Sequence, residues 1–378
     1  MSIALVAREV RPGEHRVAAT PETVRKLVQA GLEVRVEQGA GERAYLSDSA
    51  FEAAGATIVP AGAQWAEADL VLKVAPLQEE ERERLRSGSV VVGFLSPHGR
   101  AEVAAGLARA NVTALAMELV PRITRAQKMD ALSSQASIAG YKSVLLAANA
   151  LGKYFPLMMT AAGTVQPARV VVMGAGVAGL QAIATARRLG ARVEVTDVRP
   201  EVKEQVESLG GTFIDLPIAE SGVGEGGYAR ELSEAALRKQ REILTERVAE
   251  ADAVITTALV PGRPAPRLLT AEMVDRMKPG AVVVDLAAET GGNCELSRPD
   301  EVVERGGVRI FAPTNLPSQL AQDASHLYAR NVLEVALLLV RDGTIRVDLS
   351  DEILAAMCWT HDGKIRVGAA PQAKGATA

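Results

Sequence analysis

Short apolar runs alternate with amphipathic stretches through the first third of the chain. Strands are expected at residues 3–7, 33–37, 70–74, 90–95 and 113–117, apolar apart from Lys73 and the charged residues of EVRVE at 33–37. Between them lie helical patterns at 21–30, 47–54, 79–86 and 101–110. Thr20-Pro21 supplies a cap followed by proline at the first helical position, and Gly31, Gly55 and Gly88 stop three of these helices. Such alternation predicts a doubly wound parallel sheet. Strand patterns resume at 169–173, 192–197, 253–257, 281–286 and 308–311, with a short helix at 273–277 ahead of Pro279-Gly280. Two longer helical patterns, the alanine-rich 134–153 and 319–340, connect the two strand-bearing regions.

Residues 169–197 read RVVVMGAGVAGLQAIATARRLGARVEVTD. Gly174, Gly176 and Gly179 form a G-x-G-x-x-G pattern where the strand should turn into a helix. The first glycine permits the tight turn, the second lets the backbone approach a pyrophosphate, and the third allows close helix–strand packing. Phosphates would sit at the helix N-terminus, where free N–H groups and the positive dipole end converge. Asp197 closes the next strand, where an acid accepts hydrogen bonds from a ribose 2′-hydroxyl and repels a 2′-phosphate, favouring NAD over NADP. Arg199 could accommodate that phosphate, but reads more simply as a solvated charge at the start of the next helix. Strand, turn, helix, strand and acid are all in place, so the segment reads as dinucleotide-binding rather than as a turn kept for packing. The expected fold is α/β, with two Rossmann-like doubly wound parallel-sheet domains linked by long helices. One comprises residues 1–133 with 320–378, and the other 134–319.

Composition narrows the picture further. The 378 residues suffice for two ordinary domains, and aromatics make up only 3% of them. A net charge of −4 gives no electrostatic reason to expect nucleic acid or an anionic membrane surface. No apolar run reaches transmembrane length: residues 332–340 are too few and include Glu334. The N-terminus reads as a strand followed by charge, not as a cleavable signal. Cys294 and Cys358 are widely separated and fit a reducing cytoplasm, and His15, His98, His326 and His361 show no metal-ligand spacing. A soluble cytoplasmic protein without a metal is expected. Residues 219–228, AESGVGEGGY, break the periodicity and read as either a disordered insertion or a lid; Tyr228 favours the lid, since an aromatic ring can cover a planar ligand. The small, polar tail from Ala369 should fray.

Residues 121–141, PRITRAQKMDALSSQASIAGY, gather Arg122, Gln127, Asp130 and Ser133 into a short polar loop leading into the first long helix. Singly, each could be a capped helix entry or a solvated charge. Together with MMTAAGTVQPARVVVMGAGVAGLQAIATARRLGA, GGYARE, ITTALVPGRPAP and DLAAETGGNCELS, the loop resembles the soluble NAD(H)-binding alpha subunit (domain I) of proton-translocating NAD(P) transhydrogenase, a family related to alanine dehydrogenase. The resemblance runs along nearly the whole chain. It implies that Arg122, Gln127 and Asp130 hold the nicotinamide and its ribose, serving the reaction by positioning, with Ser133 in register behind them. It adds Ala175, Val177, Val198, Thr257, Ala258 and Leu259 to Gly174, Gly176, Gly179, Asp197 and Arg199 as cofactor-binding residues. The segment with Tyr228 matches the family's loop that closes over bound nucleotide.

The activity so implied is Re/Si-specific transhydrogenation, with hydride passing directly from NADH on this chain to NADP+ on a partner. The partners are an NADP(H)-binding domain III and a membrane domain II that couples the reaction to proton translocation, with a homodimer of this chain attached peripherally to the membrane through them. The turn after the first strand, ALVAREVRPGEHR, lacks glycines for a second nucleotide, which leaves the acceptor to that partner. The alanine-rich helix is a candidate dimer interface, or else packs within the chain. Hydride exchange between two nicotinamide rings moves no proton at the reacting carbons and needs no general base; it needs near-attack geometry and exclusion of water.

Alanine dehydrogenase is the rival reading. GEHRVAATP with Arg16 and VLKV with Lys73 match cations that enzyme uses for carboxylate and carbonyl, although Arg16 could equally brace a turn and Lys73 be solvated or salt-bridged. Amino-acid oxidation also requires a proton acceptor. The dehydrogenase carries a histidine after Tyr-Leu, whereas GFLSPHG places Ser96 there, with His98 two residues later, and Glu289 stands where that enzyme has aspartate. A non-catalytic NAD-binding regulatory subunit is a third reading, against which the intact 122–133 loop argues.

Overall fold

The computed structural model describes residues 1–216, 234–260 and 263–366, except for the side chains of 234–238. The segment carrying Tyr228 and the tail from Ala369 lie outside the described residues. The chain divides into two compact units, residues 1–135 with 317–378 and residues 136–316.

The first unit opens with β1 (Ile3–Val6), α1 (Pro21–Gln29), β2 (Glu33–Glu37), α2 (Asp48–Ala53), β3 (Thr57–Val59) and β4 (Leu70–Leu72). It continues with α3 (Glu79–Arg84), β5 (Val90–Gly93), α4 (Ala101–Arg109) and β6 (Thr113–Ala116). Local chemistry starts α1: Thr20 accepts from the Thr23 N–H, Thr23 Oγ1 accepts from the Thr20 N–H, and Pro21 needs no N–H partner. A cap of this kind contributes about 1 kcal/mol. Val24 and Leu27 then turn one face of the helix inward.

The six strands pair in parallel in the order β6-β5-β4-β1-β2-β3. Alternation along β1 explains why its run is wholly apolar: Ala4 and Val6 enter the core on one face, while Leu5 and Ala7 enter the core on the other.

The long helix α5 (Ala131–Ala150) carries the chain into the second unit. There follow an antiparallel hairpin of β7 (Met158–Thr160) and β8 (Gly163–Val165), then β9 (Arg169–Met173), α6 (Val177–Arg188) and β10 (Arg192–Thr196). Next come α7 (Lys203–Ser208), β11 (Thr212–Phe213), α8 (Glu234–Glu250), β12 (Ala253–Thr256), α9 (Ala271–Asp275) and β13 (Val282–Asp285). The unit ends with β14 (Val302–Arg305) and β15 (Val308–Phe311). Its seven-stranded sheet runs β11-β10-β9-β12-β13-β15-β14, parallel except for β14 at the edge. Val170 and Val172 face one core, and Val171 and Met173 face the other.

The chain returns to the first unit just ahead of α10 (Ala321–Leu339). Tyr328, on α10, stacks near Phe94 with ring centroids 5.1 Å apart and donates its hydroxyl to the Lys73 carbonyl at 2.8 Å. A small hairpin, β16 (Val340–Arg341) with β17 (Thr344–Ile345), precedes α11 (Glu352–Met357), β18 (Cys358–His361) and β19 (Lys364–Ile365). The last two extend the first sheet with β18 antiparallel to β6, so that sheet is not wholly parallel as its first third predicts. These late strands are too short to display an apolar period.

Small residues set the spacing of the second unit. A Cβ on Gly140 of α5 would collide with the Ala178 carbonyl in the first turn of α6, and Val144 and Ala147 continue α5 into the core. Ala147 and Ala150 of this helix are thus taken up by packing within the unit, while Ala136, Ala139 and Ala148 stay partly exposed. We expect Gly140→Ala to force α5 off α6 and lower the melting temperature of the full chain, at a cost of about 1–3 kcal/mol; an unchanged melt would refute the close approach.

Candidate nucleotide-binding site

At the carboxyl end of β9 the chain turns through Gly174, Ala175 and Gly176 into α6. Gly174 has φ +105°, a left-handed conformation, and a Cβ there would lie 2.6 Å from Thr257 Oγ1. Gly179 touches the turn so closely that a Cβ would strike the Gly174 carbonyl. Gly176 differs: a Cβ there would meet nothing within 4 Å, so the backbone faces open space. No side chain caps α6 at Gly176, which leaves its first N–H groups to an anion. The residues thus fit a pyrophosphate.

The turn lies between two neighbouring strands, β10 and β12, and the order of the sheet reverses at β9. Ligands of open α/β sheets bind at such a point, outside the carboxyl ends of the strands. The loop after β10 carries Asp197, Val198 and Arg199, and the loop after β12 carries Thr257, Ala258 and Leu259. Val177, Val198 and Leu259 are apolar yet exposed, and offer surface to an uncharged ring.

Asp197 ties the turn to β10. Its Oδ2 accepts from the Ala175 N–H at 2.7 Å, and its Oδ1 accepts from the Arg199 N–H at 2.9 Å. Arg199 adds Nε to Oδ1 at 3.0 Å and Nη2 to Oδ2 at 3.1 Å. Burial raises the carboxyl, but the Arg199 guanidinium and the two backbone N–H groups outweigh it and hold its pKa below the ordinary value. Arg199 is thus bound to Asp197, not the freely solvated charge expected of it.

The loop after β12 is held by residues whose roles are not visible in the linear sequence. Thr257 donates to the Gly174 carbonyl at 3.0 Å. Asn293, fully buried, accepts from the Ala258 N–H at 3.0 Å and donates to the carbonyls of Ala258 and Pro266, each at 2.8 Å. Asp285, also buried, accepts from Thr256 Oγ1 and the Cys294 N–H and so fixes the segment that presents Asn293. The double glycine before Asn293 was the available signal: Gly291 and Gly292 both have positive φ and fold the chain back beneath β12 and β13.

The second set of expected residues belongs to the first unit. Asp130 begins α5 as its cap, with Oδ1 accepting from the Ser133 N–H at 2.9 Å and Oδ2 from Ser133 Oγ at 2.6 Å. The preceding turn, Thr124–Met129, is pinned on three sides. Ala126 and Met129 are buried in the core, Arg125 makes a two-pronged ion pair with Asp351 at 2.8 and 2.9 Å, and Asn331 donates to the Lys128 carbonyl at 2.7 Å. Arg125 holds the Asp351 pKa down at about 2. Arg122 and Gln127 are exposed on this fixed backbone, and no side-chain partner is found for either among the described residues. They are free to hydrogen-bond a ligand.

The cations of the rival reading are arranged otherwise. Lys73 is 1% exposed, with Glu81 at 2.7 Å and Glu9 at 3.1 Å. Burial lowers the Lys73 pKa, but the two carboxylates outweigh it and raise it. Arg16 is buried in a fork to Glu14, with both contacts 2.7 Å, and reaches Gln135 at 2.9 Å. Ser96 takes the strained φ of +53°, and its N–H donates to Glu118 at 2.7 Å. His98 and Glu289 are exposed.

Two family models account for nearly the whole chain. The alanine dehydrogenase/PNT N-terminal domain matches residues 5–139, and the alanine dehydrogenase/PNT C-terminal domain matches residues 143–368. The chain belongs to the alanine dehydrogenase/PNT family. The first part of the NAD(P) transhydrogenase alpha subunit of Rhodospirillum rubrum is 50% identical over 370 residues, which are 95% of this chain and 96% of that one. The alanine dehydrogenase of Mycolicibacterium smegmatis is 34% identical over 368 residues, covering 95% and 93%. The crystal structure of transhydrogenase from Sinorhizobium meliloti superposes with a TM-score of 0.88 at 48% identity, covering 96% of this chain and 100% of that one.

Among the described residues no helix is long and apolar enough to cross a membrane. The turn itself gives a direct test. Gly179→Ala should push α6 away from Gly174 and weaken nucleotide binding by tenfold or more, about 1.4 kcal/mol or above, measured by calorimetry on a variant that stays folded. Unimpaired binding would show that this contact does not shape the site.

Proposed function

We propose that this chain is the NAD(H)-binding alpha subunit of a proton-translocating NAD(P) transhydrogenase, passing hydride from NADH to NADP+ held by a partner. The observation that carries the choice over an alanine dehydrogenase is the enclosure of Lys73 by Glu9 and Glu81 and of Arg16 by Glu14. Cations already neutralised by buried carboxylates offer little to the carboxylate of an amino acid. Ser96, in the position expected of a histidine, supplies no proton acceptor near neutral pH. The freedom of Arg122 and Gln127 speaks equally against a purely regulatory nucleotide module.

The bound nucleotide supplies the hydride, and this chain's residues orient it. Gly174, Ala175, Gly176, Val177 and Gly179 take the pyrophosphate at the start of α6, and Asp197 takes the ribose of the adenosine half. Val198, Thr257, Ala258 and Leu259 line the nucleotide, and Tyr228 covers it. Arg122, Gln127 and Asp130 hold the carboxamide and ribose of the nicotinamide half, with Ser133 fixing Asp130 in place. None of these groups needs to gain or lose a proton. The proposed acceptor nucleotide sits on an NADP(H)-binding domain III, and a membrane domain II carries the proton, so the chain works in the cytoplasm against the membrane surface.

The pure chain should bind NADH and transfer hydride to an NADP analogue only when its membrane partner is added. Alanine-dependent reduction of NAD by the isolated chain would restore the dehydrogenase. Gln127→Ala should slow transfer while leaving NADH affinity nearly intact; a large loss of affinity with normal transfer would contradict a positioning role.

The assembly that goes with this reading is a homodimer. The β7–β8 hairpin supports it: all six strand residues are exposed, Met159 at 75%, beside Tyr154 at 59% and Leu157 at 50%. Apolar surface of this kind calls for a covering partner, and a second copy related by a twofold axis would supply one. Sedimentation of the pure chain should give twice the chain mass of 39.8 kDa, and a monomer at micromolar concentration would exclude the arrangement.

A further inference from the structure

The Asp197 carboxylate is saturated. A carboxylate offers about four lone-pair sites, and four protein donors occupy them: the N–H groups of Ala175 and Arg199, and the Nε and Nη2 of Arg199. The two backbone donors belong to the turn and stay in place. The two guanidinium donors are different in kind. They sit on a side chain that is half exposed and, among the described residues, hydrogen-bonded to Asp197 alone. One of them meets each carboxylate oxygen.

A ribose presents two hydroxyl donors on adjacent carbons, which also pair with one carboxylate oxygen each. The guanidinium fork therefore copies the hydrogen-bonding pattern of a ribose diol. Both cannot be accommodated at once, because the backbone donors already take the remaining sites.

Resting on the functional reading above, we propose that Arg199 is an exchangeable plug in the adenosine-ribose site: its guanidinium fills the two acceptor positions on Asp197 and must leave before the ribose diol of NADH can enter. In the empty protein the plug keeps Asp197 paired and aimed, so the site does not collapse onto an unpartnered charge. In binding, it acts as an intramolecular competitor and lowers the apparent affinity by the fraction of molecules in which the fork is closed. A subunit that must release oxidised nucleotide on each turnover gains from such a competitor, which re-forms as the ribose departs. The plug also gives the site an unusual dependence on salt. Ionic strength screens the half-exposed ion pair and opens the fork, while a ribose diol carries no charge to be screened.

Calorimetric titration of the full chain with NADH tests this at low and high salt, using the parent, Arg199→Ala and Arg199→Lys. Exposed ion pairs contribute at most about 1 kcal/mol, so removing the fork should tighten NADH binding about two- to sixfold. Lysine, which cannot reproduce the fork, should fall between the parent and alanine. The gap between parent and Arg199→Ala should narrow at high salt. In an Asp197→Ala background, where the plug has nothing to close on, Arg199→Ala should leave the weakened affinity unchanged. Weaker or equal NADH binding by Arg199→Ala in the otherwise unaltered chain would overturn the plug, because Arg199 would then be a ligand to the nucleotide or a bystander. A tightening that persists in the Asp197→Ala background would overturn it as well. A parent chain that binds no NADH at all would instead sink the functional reading and the plug with it, so the two failures are told apart by the parent titration alone.

Discussion

The contact between Gly179 and the Gly174 carbonyl governs the second unit. Because no side chain intervenes, α6 begins in van der Waals contact with the turn that ends β9. Its first N–H groups then open over Gly176, where the backbone meets nothing. The same spacing is passed outward. Thr257 hydrogen-bonds the Gly174 carbonyl from one side, and Gly140 brings α5 against Ala178 on the other. A layer this thin demands small residues at its crossings, in a unit that buries valine strands on both faces.

The two units treat charge in opposite ways. In the first, Lys73, Arg16 and their carboxylates are withdrawn from water and locked together, an arrangement that adds little net stability but fixes geometry. Gln127, exposed in the same unit, stands on a turn whose backbone is clamped by Arg125, Asn331 and two buried apolar side chains, and the exposed Arg122 lies just ahead of it. In the second unit the key carboxylate, Asp197, is held by a half-exposed arginine that solvent can reach. Buried pairs suit a scaffold, and an accessible pair suits a position where partners exchange.

Much of this could be read along the chain. The strand at residues 33–37 coincides with β2 and that at 308–311 with β15, because their alternating segments are bounded by turn residues. The cap at Thr20 and the glycine fingerprint are local codes, complete within a few residues. Three hairpins also carry a local code. Asp342-Gly343, Asp362-Gly363 and Gly306-Gly307 all have both residues at positive φ, the turn that joins β16 to β17, β18 to β19 and β14 to β15. β16, β17 and β19, of two residues each, are too brief for periodicity, so the turn is their signal.

Sequence by itself determined most of the longer elements, the parallel part of both sheets and the residue types at the nucleotide turn, since each depends on period, propensity or spacing between near neighbours. Only the tertiary structure decided which charges are spent and which remain available. Arg125 meets Asp351 across 226 positions, Asn293 reaches Ala258 across 35, and Lys73 lies between Glu9 and Glu81. Neither partner in such a pair carries a mark of the other in its own neighbourhood along the chain. Burial and pairing are properties of position in space, and folding is what assigns them.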